Sequence, residues 1–232
     1  MRLDVYPDPP AAALGAAARI AEAARDAIAK RGLFTFAASG GRTPWLMLEA
    51  LASEDVPWGG FHLLQVDERD APDGDPDRNW THIAARFLSH VPLCASQLHP
   101  MPVMDGDLSA AAARCGRALA DLCGEPPVID LVHLGLGADG HTASLVPGDA
   151  VLEVRDANVA ACGPYQGRRR LTLTFPALDR AREILWLVTG AEKAPMLGRL
   201  LAGDPSIPAG RVRAERARII ADRAASQLRL DP

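Results

Sequence analysis

Residues 129–148 read IDLVHLGLGADGHTASLVPG, and this stretch constrains the fold more than any other part of the chain. Ile129, Leu131, Val132 and Leu134 form a short apolar run that stops at three glycines, Gly135, Gly137 and Gly140. An apolar run of that length, bounded by glycine, reads as a buried strand that turns sharply at its carboxyl end. Just beyond it stand Asp139, His141, Thr142 and Ser144, four polar side chains within six positions. In open α/β sheets, ligands bind outside the carboxyl ends of the strands. Histidine is the side chain suited to exchanging a proton near neutral pH, and an aspartate two residues away can orient it. A plainer reading is also open, with Asp139 and Thr142 capping a following helix and His141 in solvent.

Gly135, Gly137 and Gly140 also spell G-x-G-x-x-G. The dinucleotide fingerprint needs a long helix straight after its third glycine. Pro147 and Gly148 interrupt the chain too soon for one, so the fingerprint is rejected and no cofactor is expected.

Strands and glycine turns recur along the chain. Leu3–Tyr6 reads as a short edge strand, and residues 11–31 as an alanine-rich helix with Leu14, Ala17, Ala18, Ala21, Ala24 and Ile28 on one face. Leu33–Ala38 reads as a strand leading into Ser39-Gly40-Gly41-Arg42-Thr43-Pro44 and a helix to about Ala52. Strand, glycine turn and helix make the geometry of an anion site, because backbone N–H groups and the helix dipole both favour negative charge. Thr43 as N-cap with Pro44 at the first helical position is compatible with that reading. Phe61–Val66 reads as a strand ending in Asp67-Glu68-Arg69, which is either a set of catalytic groups or a solvated charge cluster.

Residues 70–78 read as a loop, 79–90 as a helix, 97–101 as a strand and 108–123 as an amphipathic helix. Val151–Val154, Asn158–Cys162 and Leu171–Phe175 read as strands, the last preceded by Arg168, Arg169 and Arg170. Glu183–Thr189 reads as a strand, and Gly190-Ala191-Glu192-Lys193 opens a helix to about Ala202. Lys193 stands in that helix's first turn, where a cation opposes the dipole unless it faces an anion. Residues 205–210 read as a loop, and 217–222 as a last strand or helix start.

The chain has 232 residues and no composition shift, which fits a single domain over 1–232. A formal net charge of −4 with scattered arginines excludes the basic footprint of a nucleic-acid binder. Cys94, Cys115, Cys123 and Cys162 lack metal-site spacing, so no metal is expected and the thiols read as buried or incidental in a reducing compartment. No apolar signal region and no membrane-length run occur, which points to the cytoplasm and away from membranes.

Five segments together resemble the 6-phosphogluconolactonase family, in its order. They are Ser39–Pro44, Val66–Arg69, Leu134–Leu145, Arg170–Thr172 and Gly190–Lys193. The resemblance implies an α/β fold, Rossmann-like, with a mostly parallel sheet flanked by helices on both faces. That fold is shared with glucosamine-6-phosphate deaminase and ribose-5-phosphate isomerase. The implied reaction is hydrolysis of 6-phospho-D-glucono-1,5-lactone to 6-phosphogluconate, with a small-molecule sugar phosphate as partner and the chain a monomer or small homo-oligomer.

By the same resemblance His141 is the general base with Asp139 beside it, and Arg69 lines the lactone end. Ser39, Gly40, Gly41, Arg42, Thr43, Arg170 and Lys193 hold the phosphate, and Asp67, Asn79 and Gly137 contact substrate. Among the three arginines Arg170 is favoured, two before Thr172. Should His141 prove dispensable, Asp67 or Glu68 is the next candidate base. The chain departs from the family's pattern at Arg78-Asn79-Trp80, where a small residue, asparagine and tyrosine are expected.

The chemistry suits these residues. Lactone hydrolysis needs a deprotonated water and donors for the developing oxyanion, and the G-x-S-x-G elbow of a covalent route is absent. The nearest rival is the deaminase, whose family places asparagine, glutamate and proline after its histidine where this chain has Ser144-Leu145-Val146-Pro147. A non-catalytic sugar-phosphate sensor on the same fold is the second rival, though this chain keeps His141 and shows no DNA-binding segment.

Overall fold

The computed structural model describes residues 1–226. The chain alternates strand and helix from its start. β1 (Arg2–Tyr6) leads into α1 (Pro9–Arg31), whose first turn is closed by Asp8 accepting the Ala11 N–H at 2.8 Å. β2 (Phe34–Ala38) and α2 (Arg42–Leu51) follow, then β3 (Phe61–Gln65), β4 (Asp67–Arg69), α3 (Asn79–Arg86) and the two-residue β5 (Leu98–His99). The second half contains α4 (Leu108–Cys123), β6 (Leu131–Leu134), β7 (Val159–Tyr165), β8 (Arg168–Leu173) and α5 (Phe175–Arg180). It ends with β9 (Glu183–Val188), α6 (Ala194–Leu201), α7 (Pro208–Arg211), β10 (Ala217–Asp222) and α8 (Arg223–Ser226).

Seven strands form one sheet in the order β1-β10-β9-β6-β2-β3-β5, and every pairing in it is parallel. Parallel strands buried on both faces read as apolar runs, and all five residues of β2 are buried. The two faces carry separate cores. Phe34, Phe36, Phe61, Leu63, Leu131 and Leu185 meet α1, α2 and α3 on one side. Val132, Leu134, Ile184, Trp186 and Ile219 meet α4, α5 and α6 on the other. The parallel α/β architecture expected from the sequence is therefore present, with helices on both faces.

Strand order reverses between β2 and β6. From β2 the chain adds β3 and β5 on one side, and from β6 it adds β9 and β10 on the other. Such a switch point opens a crevice at the carboxyl ends of the two strands. The turns after β2 (Ser39, Gly40) and after β6 (Gly135, Gly137) flank that crevice.

Several boundaries differ from the sequence reading, each for a physical reason. Asp67-Glu68-Arg69 is itself a strand, paired antiparallel with β8, which pairs antiparallel with β7 in a second, three-stranded sheet. Val66 joins the sheets, donating its N–H to Ala38 and accepting one from Leu173. Residues 151–154 are not a strand: Ala150–Glu153 is a 3-10 turn started by Asp149, which accepts the Val151 N–H at 2.8 Å. Phe175 opens α5 instead of ending a strand, because Pro176 suits a helix's first turn.

The helix expected over 79–90 stops at Arg86 before a 3-10 turn, the strand over 97–101 shrinks to β5, and the loop over 205–210 contains the start of α7. No helix follows His141; Thr142 and Leu145 form an isolated antiparallel bridge instead. Thr43 does not cap α2. Gly41 holds the cap position, Pro44 lies inside the helix, and the Thr43 hydroxyl meets that of Thr189 at 2.6 Å. Leu14 points to solvent, and α1 buries Ala13, Ala16, Ala17, Ile20, Ala21 and Ala24. All four cysteines are unpaired thiols, Cys94 exposed and Cys162 buried.

Candidate active site

A cleft of about 420 Å³ occupies the switch-point crevice. Ten of the residues singled out from the sequence line it: Ser39, Gly40, Asp67, Arg69, Asn79, Gly137, Asp139, His141, Arg170 and Lys193. They come from the turn after β2, from β4, the start of α3, the turn after β6, β8, and the 3-10 turn before α6. Gly41, Arg42 and Thr43 stand outside the cleft wall, because the chain swings at Gly41 into α2 and carries Thr43 against Thr189.

The His141 ring is fixed on one side. Its Nδ1 lies 2.5 Å from Asp139 Oδ1, which also accepts the His141 backbone N–H at 3.1 Å. A carboxylate accepts only, so in the neutral ring the proton sits on Nδ1 and the Nε2 lone pair is available. Nε2 has no partner among the described residues. Partial burial works to raise the Asp139 carboxyl, but the hydrogen bonds from His141 outweigh it and hold the group below the usual aspartate range. The Tyr165 hydroxyl donates to Asp139 Oδ2 at 3.2 Å, and its ring meets the imidazole edge-on with centroids 5.3 Å apart.

Gly137 makes this arrangement possible. A Cβ there would lie 2.1 Å from His141 Nδ1 and 2.7 Å from Asp139 Oδ1. Gly137→Ala is therefore expected to displace the imidazole and lower kcat about 10²-fold, the scale of a misplacement of roughly 1 Å. Steady-state kinetics beside an unchanged circular-dichroism spectrum checks it.

Three cations, Arg69, Arg170 and Lys193, line the same cleft. Arg170 is buried, its Nη2 donating to Tyr165 O at 3.2 Å, and its Nη1 lies 3.9 Å from Asp67. Burial and the neighbouring charge of Arg69 push its pKa down. Arg69 Nη1 donates to Asp77 O at 2.7 Å, and Lys193 Nζ donates to Leu136 O at 2.8 Å. The Nε atoms of Arg69 and Arg170 are buried and unpartnered. The other two arginines of the triplet face away: Arg168 pairs with Asp75 and Asp77, and Arg169 with Asp70. Of the three, Arg170 is the one that lines the cleft.

Asp67 and Glu68 serve different ends. Asp67 accepts the Ser144 hydroxyl at 2.6 Å and the Asn79 side-chain amide at 3.3 Å. Glu68 is fully buried outside the cleft wall. Its Oε1 accepts the N–H groups of Arg69 and Asn79, and its Oε2 accepts those of Trp80 and the Gln65 side chain, all at 2.8 Å. With four donors on it, Glu68 has no lone pair directed at a substrate water and is not a candidate base. Arg78, the departure noted in the sequence, is buried with its Nε 3.7 Å from Glu68 Oε2 and its Nη1 2.5 Å from Asp73. Gly40 is also constrained, since a Cβ there would lie 1.9 Å from Asn79 Oδ1.

Sequence reasoning missed Tyr165 and Gln166, which line the cleft. Gln166 and Gly167 form the tight turn between β7 and β8 with φ of 52° and 79°. A residue–glycine pair between two strand-like runs is a hairpin signal that would have brought them in.

A family model described as glucosamine-6-phosphate isomerases/6-phosphogluconolactonase matches residues 7–221. The chain belongs to this family. Within it, a 6-phosphogluconolactonase of Synechocystis is 40% identical over 182 residues, covering 77% of this chain and 75% of the relative. A 6-phosphogluconolactonase of Mycobacterium tuberculosis is 36% identical over 220 residues, 89% of either chain. Among solved structures, the 6-phosphogluconolactonase of Trypanosoma brucei superposes with a TM-score of 0.84 at 25% identity, covering 97% of each chain. A monomeric glucosamine-6-phosphate deaminase shares the fold, with a TM-score of 0.83 at 21% identity over 99% of this chain. Both branches of the glucosamine-6-phosphate isomerase/6-phosphogluconolactonase family thus share this architecture, and the close sequence relatives cited carry the lactonase name.

Proposed function

We propose that the chain hydrolyses 6-phospho-D-glucono-1,5-lactone to 6-phosphogluconate, with His141 as the general base. The observation that carries this reading is the pairing, in one cleft, of an imidazole with a free Nε2 and three cations placed to receive a phosphorylated substrate. The lactonase names of the sequence relatives support it.

The steps follow from the residues. His141 Nε2 takes a proton from water as the oxygen attacks the lactone carbonyl carbon. The Nδ1–H bond to Asp139 stabilises the imidazolium that forms. Negative charge develops on the carbonyl oxygen, and Arg69 lines the lactone end, where its buried, unpartnered Nε–H can donate. Collapse of the tetrahedral intermediate breaks the ring C–O bond, and the imidazolium returns its proton to the departing ring oxygen. The products are a carboxylic acid, ionised at neutral pH, and a free hydroxyl. No nucleophilic side chain enters the sequence.

Ser39, Gly40, Arg170 and Lys193 line the cleft and form the core of the phosphate grip, and Gly41, Arg42 and Thr43 carry the same turn into the start of α2. A dissolved sugar phosphate suits this polar, open cleft, and the cytoplasm is the proposed compartment. Among the described residues, no helix is long and apolar enough to cross a membrane.

Lys193→Met is expected to lower kcat/KM about 10- to 100-fold, mainly through KM, as loss of one charge-assisted contact does. Initial rates over a lactone concentration series check it. An unchanged KM would remove Lys193 from the grip. In parallel, incubation with glucosamine 6-phosphate should release no ammonia. Ammonia release in place of lactone turnover would favour the deaminase reading.

A further inference from the structure

Where β2 and β6 part, an imidazole that the reaction does not use is buried behind the residues lining the crevice. The β2–β6 register runs Phe36 opposite Leu131 and Ala37 opposite Val132. One residue further on, His133 is fully buried, and the Ser39 backbone N–H donates to its Nδ1 at 3.3 Å. We propose that His133 is a positioning residue for the phosphate turn: its ring, in place of a main-chain carbonyl, fixes Ser39 and Gly40 at the cleft floor. This inference rests on the reading of that turn as part of the phosphate grip.

An acceptor at Nδ1 requires the lone pair there, so the ring is neutral with its proton on Nε2. Burial enforces the neutral form and pushes the pKa down to about 3. A charged ring would turn a second donor toward the Ser39 N–H and lose the bond. The Nε2–H is buried with no partner among the described residues. An unpaired buried donor opposes folding, and an apolar side chain would avoid the cost. What the imidazole offers that an apolar group cannot is the acceptor for Ser39. The position fits that role. His133 sits opposite Leu185 of β9, inside the sheet, and two residues before Gly135, which lines the cleft. The ring thus ties the two turns that flank the switch point.

The test compares two lactones, with and without the phosphate. His133→Leu removes the acceptor, whereas in His133→Asn the amide oxygen takes the place of Nδ1. In His133→Leu, the ratio of kcat/KM for 6-phosphogluconolactone to that for glucono-1,5-lactone is expected to fall about tenfold, through KM, the scale of one buried hydrogen bond. Inhibition by inorganic phosphate should weaken by a similar factor, and His133→Asn should restore most of both. A parallel loss on both lactones would mean a purely structural role and overturn the proposal.

If His133→Leu does not fold, nitrogen NMR of the wild type decides instead. A proton on Nε2, together with a Ser39 amide resonance that moves on adding phosphate, supports the proposal; a proton on Nδ1 overturns it. Wild type that fails to hydrolyse the phosphorylated lactone overturns the underlying reading and this inference with it. Wild type that hydrolyses it while the ratio holds in His133→Leu overturns this inference alone.

Discussion

His141→Ala is expected to lower kcat by about 10² to 10⁴-fold, the range a positioned general base supplies. The ring contributes in two ways that alanine cannot replace: Nε2 accepts the water proton, and the Nδ1–Asp139 bond of 2.5 Å keeps the lone pair on Nε2. KM should change far less, because the phosphate grip of Ser39, Gly40, Arg170 and Lys193 is left intact. The folded state should also survive, since the side chain is partly exposed and lies in a turn. The assay belongs at mildly acidic pH, where spontaneous hydrolysis of the lactone is slow. A variant that kept full activity would remove His141 from the chemistry. Glu68 could not take its place, being saturated by four donors, so attention would pass to Asp67.

Glu68→Ala is expected to have the largest effect on stability, about 3 to 5 kcal/mol. It strips the partner from four N–H donors, those of Arg69, Asn79, Trp80 and the Gln65 side chain, and leaves buried Arg78 without its nearest buried carboxylate. For a chain of this size that corresponds to a fall in Tm of roughly 10 °C. Thermal melts followed by circular dichroism check it, and a shift of only a degree or two would show that the network relaxes around the gap. Activity should fall as well, because Arg69 and Asn79 are held in the cleft wall by the same carboxylate. Glu68→Gln should cost less, since one acceptor oxygen remains while the amide faces two donors.

The parts of the molecule set by local sequence could be read directly. The apolar run ending at Gly135 is β6, the run ending at Ala38 is β2, and both deliver glycine turns to one crevice. The favoured arginine of the triplet is the one that turns inward. What could not be read depended on partners distant in sequence. Asp67-Glu68-Arg69 is too polar to look like a strand, and it becomes one only because β8, about a hundred residues later, pairs with it. Glu68 read as either a catalytic group or a solvated charge, because nothing local reveals the four donors gathered around it. Tyr165 reaches Asp139 through the same hairpin sheet. Gly41, Arg42 and Thr43 read as part of an anion loop; they stand at the start of α2, next to the cleft-lining Ser39 and Gly40, and the contact of Thr43 with Thr189 was not legible because its partner lies far along the chain.

The most direct test of the account is the fate of 6-phosphogluconolactone itself. Generated in situ from glucose 6-phosphate by glucose-6-phosphate dehydrogenase, the lactone should disappear many times faster with catalytic amounts of wild-type protein than in buffer alone. The rate should saturate with lactone concentration. A decay indistinguishable from buffer, with a folded protein present, would contradict the account.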